Sequence, residues 1–519
     1  MYEKDRYADA GGAIGSALSM DPTQPVYFDA DDARAPFFDG YFQHSQSPKD
    51  FNAEWKYTNN PNAPQNPLAL LKLKDVQAVA NDFTGNFDVD YKVHGFEDLR
   101  LHASYGGQYT ESKQDDIISK YSYSNNYFGW NGITQTYKYS VTANAYAQYV
   151  KEIGAHNFDI MVGAEESHFH RSGYDYGQGT DPYDGTPHDA KLREEQAWAT
   201  HNSLVSYFGR LNYTLLNRYM LTATFRADGS SRFYKDNRWG KFWSVGGNWR
   251  ISHESFMSDI TWINNLSLKA SYGVQGNDAI LNGTKQNFYA WQSFYDLGYA
   301  NSSMSGAAVT SLENKELKWE KNANLNIGIE AKLFDRVSAT IEWYQRKTTD
   351  MLMSFPMATS LGFDGYNKNV GSMRNTGIDL TLGVDIFKDT PFTWNLTLLG
   401  STIKNKVLQL ADKPEIISGS YIIREGETLY SFYTATAAGV DPATGEQLYW
   451  AWDTDENGVK GKKYITNDMA KATACKEIQG SRIPDLYGSI NNTFKYKGFD
   501  LSILCTYSIG GKVLDGIYN

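Results

Sequence analysis

The feature that most constrains this chain is a stretch from Tyr207 to Ile251, YFGRLNYTLLNRYMLTATFRADGSSRFYKDNRWGKFWSVGGNWRI, whose side chains change character every second residue. Leu211, Tyr213 and Leu215 alternate with Arg210, Asn212 and Thr214. After Asn217-Arg218 the pattern resumes, with Tyr219, Leu221, Ala223 and Phe225 set against Met220, Thr222, Thr224 and Arg226. A third run sets Trp243, Val245, Trp249 and Ile251 against Ser244, Asn248 and Arg250. Successive side chains of a strand point to opposite faces, so this is a set of strands with one apolar and one polar face.

Two solvents are compatible with that pattern. In a soluble sandwich the apolar face is the core. In an outer-membrane barrel it meets lipid, and the polar face lines a wet lumen. Strand length and the order of the turns decide between them.

Residues 1–80 show little periodicity and are punctuated by Pro22, Pro25, Pro36, Pro48, Pro61, Pro64 and Pro67, which reads as a long loop. Alternation then runs to the end, in hairpins such as Leu325–Leu333 with Val337–Trp343, Ile378–Ile386 with Phe392–Leu398, and Ile490–Tyr496 with Phe499–Tyr507. The count is about 14 strands of about 11 to 16 residues, against about 5 or 6 in ordinary sheets, and about 9 to 11 are needed to cross a bilayer core on a tilt. Connections alternate in length. Those near residues 95, 153, 217, 258, 335, 389 and 497 are short, and those near 120, 185, 235, 295, 360 and 445 are longer. Outer-membrane barrels sort their connections in this way, with short periplasmic turns and long extracellular loops. The expected fold is therefore all-β: a large antiparallel transmembrane barrel, partial, with residues 1–80 as an extracellular loop region and 81–519 as barrel. Residues 405–485 form a large extracellular insertion with short strands of its own.

Composition fits this reading. The 37 Tyr, 26 Phe and 13 Trp make up 15% of the chain, and such amphipathic rings collect where one end is apolar and the other wet. The mean hydropathy of -0.53 is what a barrel with polar inward residues and long loops produces. No run of about 18 apolar residues is present, which excludes a membrane-spanning helix. The N-terminal residues lack a basic segment followed by an apolar one, so no signal peptide is read there. A formal net charge of -11 argues against a nucleic-acid partner. Cys475 and Cys505 lack metal-type spacing and are expected to be free thiols.

Several of these segments together resemble one family, the SusC/RagA-type TonB-dependent outer-membrane transporters of Bacteroidetes. They are residues 207–233, WGKFWSVGGNWRIS (239–252), LKASYGVQGND (268–278), LKWEKNANLNIGIEAKLFD (317–335), NVGSMRNTGIDLTL (369–382), AGVDPATGEQLYW (438–450) and residues 484–513. The resemblance implies a barrel of about 22 strands around a plug in the cell outer membrane, capped by a SusD-like lipoprotein. Such a pair imports oligosaccharides or peptides with energy from TonB–ExbB–ExbD, which acts through the plug. Against that pattern the chain reads as a barrel fragment, with plug, TonB-contacting segment, first strands and final strands outside it. The alternative is a structural or adhesive surface barrel without active transport, and a third reading is a soluble all-β carbohydrate-binding protein.

Candidate sites follow from side-chain chemistry. No nucleophile–base arrangement stands out, so no enzymatic activity, cofactor or metal is expected. Two aromatic loops are the candidates for substrate or lid contact, because rings stack on sugar C–H faces and on peptide side chains alike. One holds Tyr121, Tyr123, Tyr127, Phe128 and Trp130; the other holds Phe288, Tyr289, Trp291, Phe294 and Tyr295. Arg210, Arg226, Arg250, Glu330, Lys332, Asp379 and Asp385 are expected to form a mixed-sign lumen wall. Glu166, His168 and His170 have the spacing of a metal pair but fit a solvated rim. Asp453–Gly458 begins like a calcium loop yet carries Tyr464 where the bidentate Glu belongs, which favours a turn. Gly11–Gly15 follows no strand, opens no convincing helix and is not a phosphate loop.

Overall fold

A computed structural model describes residues 2–7, 10–46, 58–60, 63–119, 121, 129–180, 193–282, 285–296, 306–357, 359–363, 365–410, 415–454 and 459–514. One antiparallel sheet dominates it, and its path follows chain order from strand to strand. Fifteen of its sixteen strands lie on that path, and a short one, Lys404–Gln409, pairs off it with Ser372–Phe387. Along the path come β1 (Tyr2–Tyr7), β2 (Lys74–Lys92), β3 (Leu99–Ile118), β4 (Gly129–Ile153) and β5 (His156–Thr180). They continue through β6 (Arg193–Leu215), β7 (Tyr219–Ser230), β8 (Trp239–Arg250), β9 (Ile263–Asn277) and β10 (Glu320–Leu333). The last five are β11 (Val337–Thr349), β12 (Ser372–Phe387), β13 (Phe392–Thr402), β14 (Leu486–Tyr496) and β15 (Phe499–Ile509). This is the up-and-down order of a membrane barrel.

The short turns close for local reasons. Leu216-Asn217 and Phe334-Asp335 take positive φ at both residues, and Lys497-Gly498 does the same. A backbone twist of that hand matches the twist of the flanking strands in a tight hairpin.

The apolar face is turned to the outside. Leu221 is 43% exposed, Phe225 51% and Ile329 51%, although each lies mid-strand in a fully paired part of the sheet. Three such side chains standing free in water would be unfavourable, at about 1.5–3 kcal/mol each relative to burial. Hydrocarbon removes that penalty. Rings cluster at the short-turn end of the same wall, where Trp262 stacks on Phe334 at 5.3 Å and Phe392 on Phe494 at 6.1 Å. This is the position of an interfacial girdle. Among the described residues, no helix is long and apolar enough to cross a membrane.

Three features depart from expectation. The stretch 1–80 is not loop throughout, because β1 pairs with β2 from Tyr2↔Asn81 to Tyr7↔Val76 and β2 begins at Lys74. The same stretch holds helix α1 (Ala10–Ser19), so Gly11–Gly15 does open a helix, and helix α2 (Pro67–Lys72). Finally, β4, β5 and β6 run to 25, 25 and 23 residues, well beyond the expected 11 to 16. Their far halves stand clear of any bilayer core, both faces carry polar and aromatic residues there, and the apolar–polar alternation that marks a strand fades.

The 405–485 insertion carries a four-stranded and a three-stranded sheet, with helix α3 (Met469–Ala474) and a small core of Ala451, Trp452 and Cys475. The Cys475 Sγ donates to the Trp452 carbonyl at 3.0 Å, and Cys505 is exposed, so both are free thiols.

Candidate functional site

Pairing register puts all seven expected wall residues on the face opposite the apolar one. Arg210 lies beside Thr224 and Arg226 beside Phe242; Arg250 and Glu330 both neighbour Ser267. Lys332 faces Ser338, Asp379 faces Glu342, and Asp385 faces Asn395. Two of these charges, Arg210 and Arg226, are paired with carboxylates on the same face. Arg210 Nη2 lies 3.3 Å from Asp159 Oδ2, which also accepts from Asn212 Nδ2 at 3.1 Å. Arg226 donates through Nε to Asp228 at 2.6 Å and through Nη2 to Glu165 at 3.0 Å and Ser206 at 2.8 Å. Asn395 Nδ2 donates to Asp385 at 2.8 Å, and Lys269 pairs with Glu342 at 3.0 Å. Among the described residues, Arg250, Glu330 and Asp379 share the face without a side-chain bond to add to this network. Lys332 is drawn to the turn, where it pairs with Asp335 at 2.9 Å.

Sequence reasoning missed Asp159, Glu165, Lys269 and Glu342. The alternation placed each on the polar face, but only the cross-strand register shows which cation meets which anion. Such pairing is chemically reasonable in a wet passage: each pair stays hydrated while its two charges offset one another.

At the other end, the long connections are packed down onto the sheet. Phe233, Phe242, Ile280, Ala290, Leu317 and Trp319 form a buried cluster that fastens the connections after β7, β9 and the approach to β10. The second aromatic group divides around it. Phe288 lies 6.1 Å from Phe169 and carries the Arg232 guanidinium at 5.0 Å. The Tyr289 hydroxyl accepts from the His201 backbone N–H at 2.9 Å, and Trp291 packs on Tyr234 at 5.5 Å. These three hold the loop in place. Phe294 meets the Tyr289 ring edge-on at 6.3 Å, and Tyr295 projects from the loop, 61% exposed.

Of the first group, Tyr123, Tyr127 and Phe128 lie outside the described residues. The Tyr121 N–H donates to Ser119 Oγ at 3.3 Å. Trp130 falls on the inward face of β4, over glycines of β4 and β5.

The other motifs resolve into ordinary contacts. Both ring nitrogens of His168 are engaged, by Glu166 at 2.8 Å and Ser203 at 2.7 Å, while His170 stacks on Tyr139 at 5.0 Å. Among the described residues no group of three His, Cys, Asp or Glu could hold a metal ion. Tyr464 donates its hydroxyl to Asp453 at 3.1 Å, and residues 455–458 lie outside the described residues.

Comparison with known proteins agrees with this architecture. A family model described as "TonB dependent receptor-like, beta-barrel" matches residues 14–512. The TonB-dependent receptor SusC of Bacteroides thetaiotaomicron is 41% identical over 99% of this chain and 52% of its own. A TonB-dependent receptor of Formosa agariphila is 28% identical over 96% of this chain and 50% of its own. Among solved structures, a RagAB peptide transporter superposes with a TM-score of 0.75 at 24% identity, covering 87% of this chain and 50% of that one. The chain thus spans about half the length of the curated relatives it matches.

Proposed function

Because the chain belongs to the TonB-dependent receptor-like β-barrel family, and is of the SusC/RagA type in the outer membrane, we propose that it forms the wall of an importer for oligosaccharides or peptides. Energy comes from TonB–ExbB–ExbD acting through a plug, and a SusD-like lipoprotein covers the end where the connections are long. In this reading the short turns are periplasmic, residues 405–485 are an extracellular insertion, and the polar face is the lumen wall. No bond is made or broken in the substrate. The protein binds and passes it.

The observation that carries the proposal is the inward face itself. It carries the ion pairs of Arg210 and Arg226 and, on the tall strands, aromatic residues such as Trp130 and Trp198, which supports a wall that captures at one end and passes at the other. The resemblance to SusC/RagA-type transporters brings both substrate classes into the proposal, and the RagAB likeness is to a peptide transporter.

The test is uptake in the native bacterium. Deleting the gene, or the TonB that energises it, is expected to abolish growth on one glycan or peptide source while the barrel remains in the membrane. Growth that persists on every such source would overturn the importer reading in favour of a structural or adhesive barrel.

A further inference from the structure

Two tryptophans on the inward face of the tall β4–β6 wall are laid over glycines. Trp130, at the start of β4, reaches across to β5. A Cβ at Gly177 would stand 1.9 Å from its Cζ2, and one at Gly132 would stand 2.7 Å from its Nε1. The pyrrole end therefore rests on one strand and the benzo end on the next. Trp198 of β6 covers Gly173 of β5, whose Cβ would come 2.5 Å from the indole Cζ2. Its Nε1 donates to Asp175 Oδ2 at 2.8 Å, and the Arg171 guanidinium lies 4.8 Å from its ring centre.

Gly173, Asp175 and Gly177 alternate along β5 and share one face. Gly173 and Gly177 are four residues apart, which sets the two rings about 13 Å apart at roughly 3.3 Å per residue. Between them register assembles a polar row, Gln114–Thr134–Asp175–Gln196, one residue from each of four neighbouring strands. Both rings are half-buried, and neither belongs to a buried apolar cluster among the described residues. Core packing is therefore not what holds them. Glycine beneath each ring is what lets it come down onto the backbone.

We infer that Trp130 and Trp198 form a sugar platform, a binding site on the inward wall for a neutral glycan; this deepens the importer reading and rests on it. One pyranose presents its C–H face to the Trp130 indole and a second to the Trp198 indole, where the Arg171 guanidinium that lies over the ring moves to the sugar's hydroxyls. The hydroxyls of the sugars between them meet the Asp175 carboxylate and the Gln196 amide. A peptide is a poorer fit. Here β3, β4 and β5 are each paired along both edges, so no strand edge is open to an added backbone, and the row between the rings is polar rather than an apolar pocket.

The test uses the full-length transporter with its native partner, purified in detergent. Short neutral α- and β-linked glucans, xylans and mannans are titrated alongside short peptides, and binding is read by calorimetry and tryptophan emission. A glycan class is expected to bind with a change in emission. Trp130→Ala and Trp198→Ala are each expected to raise Kd about tenfold, while Trp→Phe at either site, which keeps a stacking face, stays within about threefold. Gly177→Val, which lifts the Trp130 ring but removes no contacting group, should behave like Trp130→Ala. Asp175→Ala serves where an alanine variant at tryptophan assembles poorly, and it too should weaken binding. Glycan affinity unchanged by the tryptophan and Asp175 variants overturns the platform, as does binding of peptides alone. The two readings fail separately. TonB-dependent uptake with wild-type affinity in the double alanine variant sinks the platform and leaves the importer. Tryptophan-dependent glycan binding with uptake indifferent to TonB sinks the importer and leaves the platform.

Discussion

At the turn between β10 and β11, Phe334 and Asp335 both adopt the left-handed backbone, with φ of 53° and 54°, and the Asp335 carboxylate fastens three elements. Lys388 Nζ donates to it at 2.6 Å and Lys332 lies 2.9 Å away. The Lys388 and Lys332 ammonium groups hold its pKa at about 2, against an ordinary 3.8. A carboxyl depressed in the folded state contributes stability that is complete above its unfolded pKa and is lost as pH falls toward the folded one. The wild-type barrel is therefore expected to lose thermal stability between about pH 4 and pH 2, and Asp335→Asn to show a shallower fall over that window. Thermal unfolding in detergent followed across that range checks this; parallel profiles for the two proteins would refute it. Asn66 is a second residue of this kind, only 1% exposed. Its carbonyl caps α2 at Leu68 and Ala69, and its amide donates to the Val26 and Phe42 carbonyls. Asn66→Ala removes a cap worth about 1 kcal/mol and strands buried carbonyls at about 1–3 kcal/mol. Residues 10–73 are expected to become sensitive to protease while the sheet remains resistant.

Within one strand, neighbouring positions face different solvents. Ile327 of β10 points outward beside Ala270 and Trp343, whereas Asn326 points inward beside Ser271 and Tyr344. Ile327→Lys is expected to destabilise the inserted barrel by about 2–4 kcal/mol, as a lysine does near the bilayer midplane. Asn326→Lys is expected to be tolerated, and the comparison is read from folded barrel recovered in the outer membrane. Equal recovery of the two would contradict the assignment of faces. The alternation behind this prediction is legible in the amino-acid sequence, where Ile327, Ile329 and Ala331 stand against Asn326, Gly328 and Glu330. How far strands persist once they leave lipid is not legible there. Gln135 and Tyr137 face outward and Thr134 and Thr136 inward, with too little difference in polarity to mark a strand, yet β4 runs through them.

Over the whole molecule, β1 and β15 each pair on one side only among the described residues. An unpaired edge is costly in a hydrocarbon solvent and is a template for another chain. Residues 1–519 expressed by themselves are expected to aggregate or associate edge to edge in detergent, and size-exclusion chromatography would show it; a monodisperse monomer would contradict the account. By itself the sequence determined the class, the direction of the apolar face and the order of turns, because each depends on period-two spacing and local turn chemistry. Tertiary structure decided the rest: that Tyr2–Tyr7 returns to pair with β2, that Asp159 and Glu165 answer Arg210 and Arg226, and that Trp130 and Trp198 come to flank Asp175. Those partners are brought together by register between strands up to some 80 residues apart, and no spacing within a single segment encodes a register.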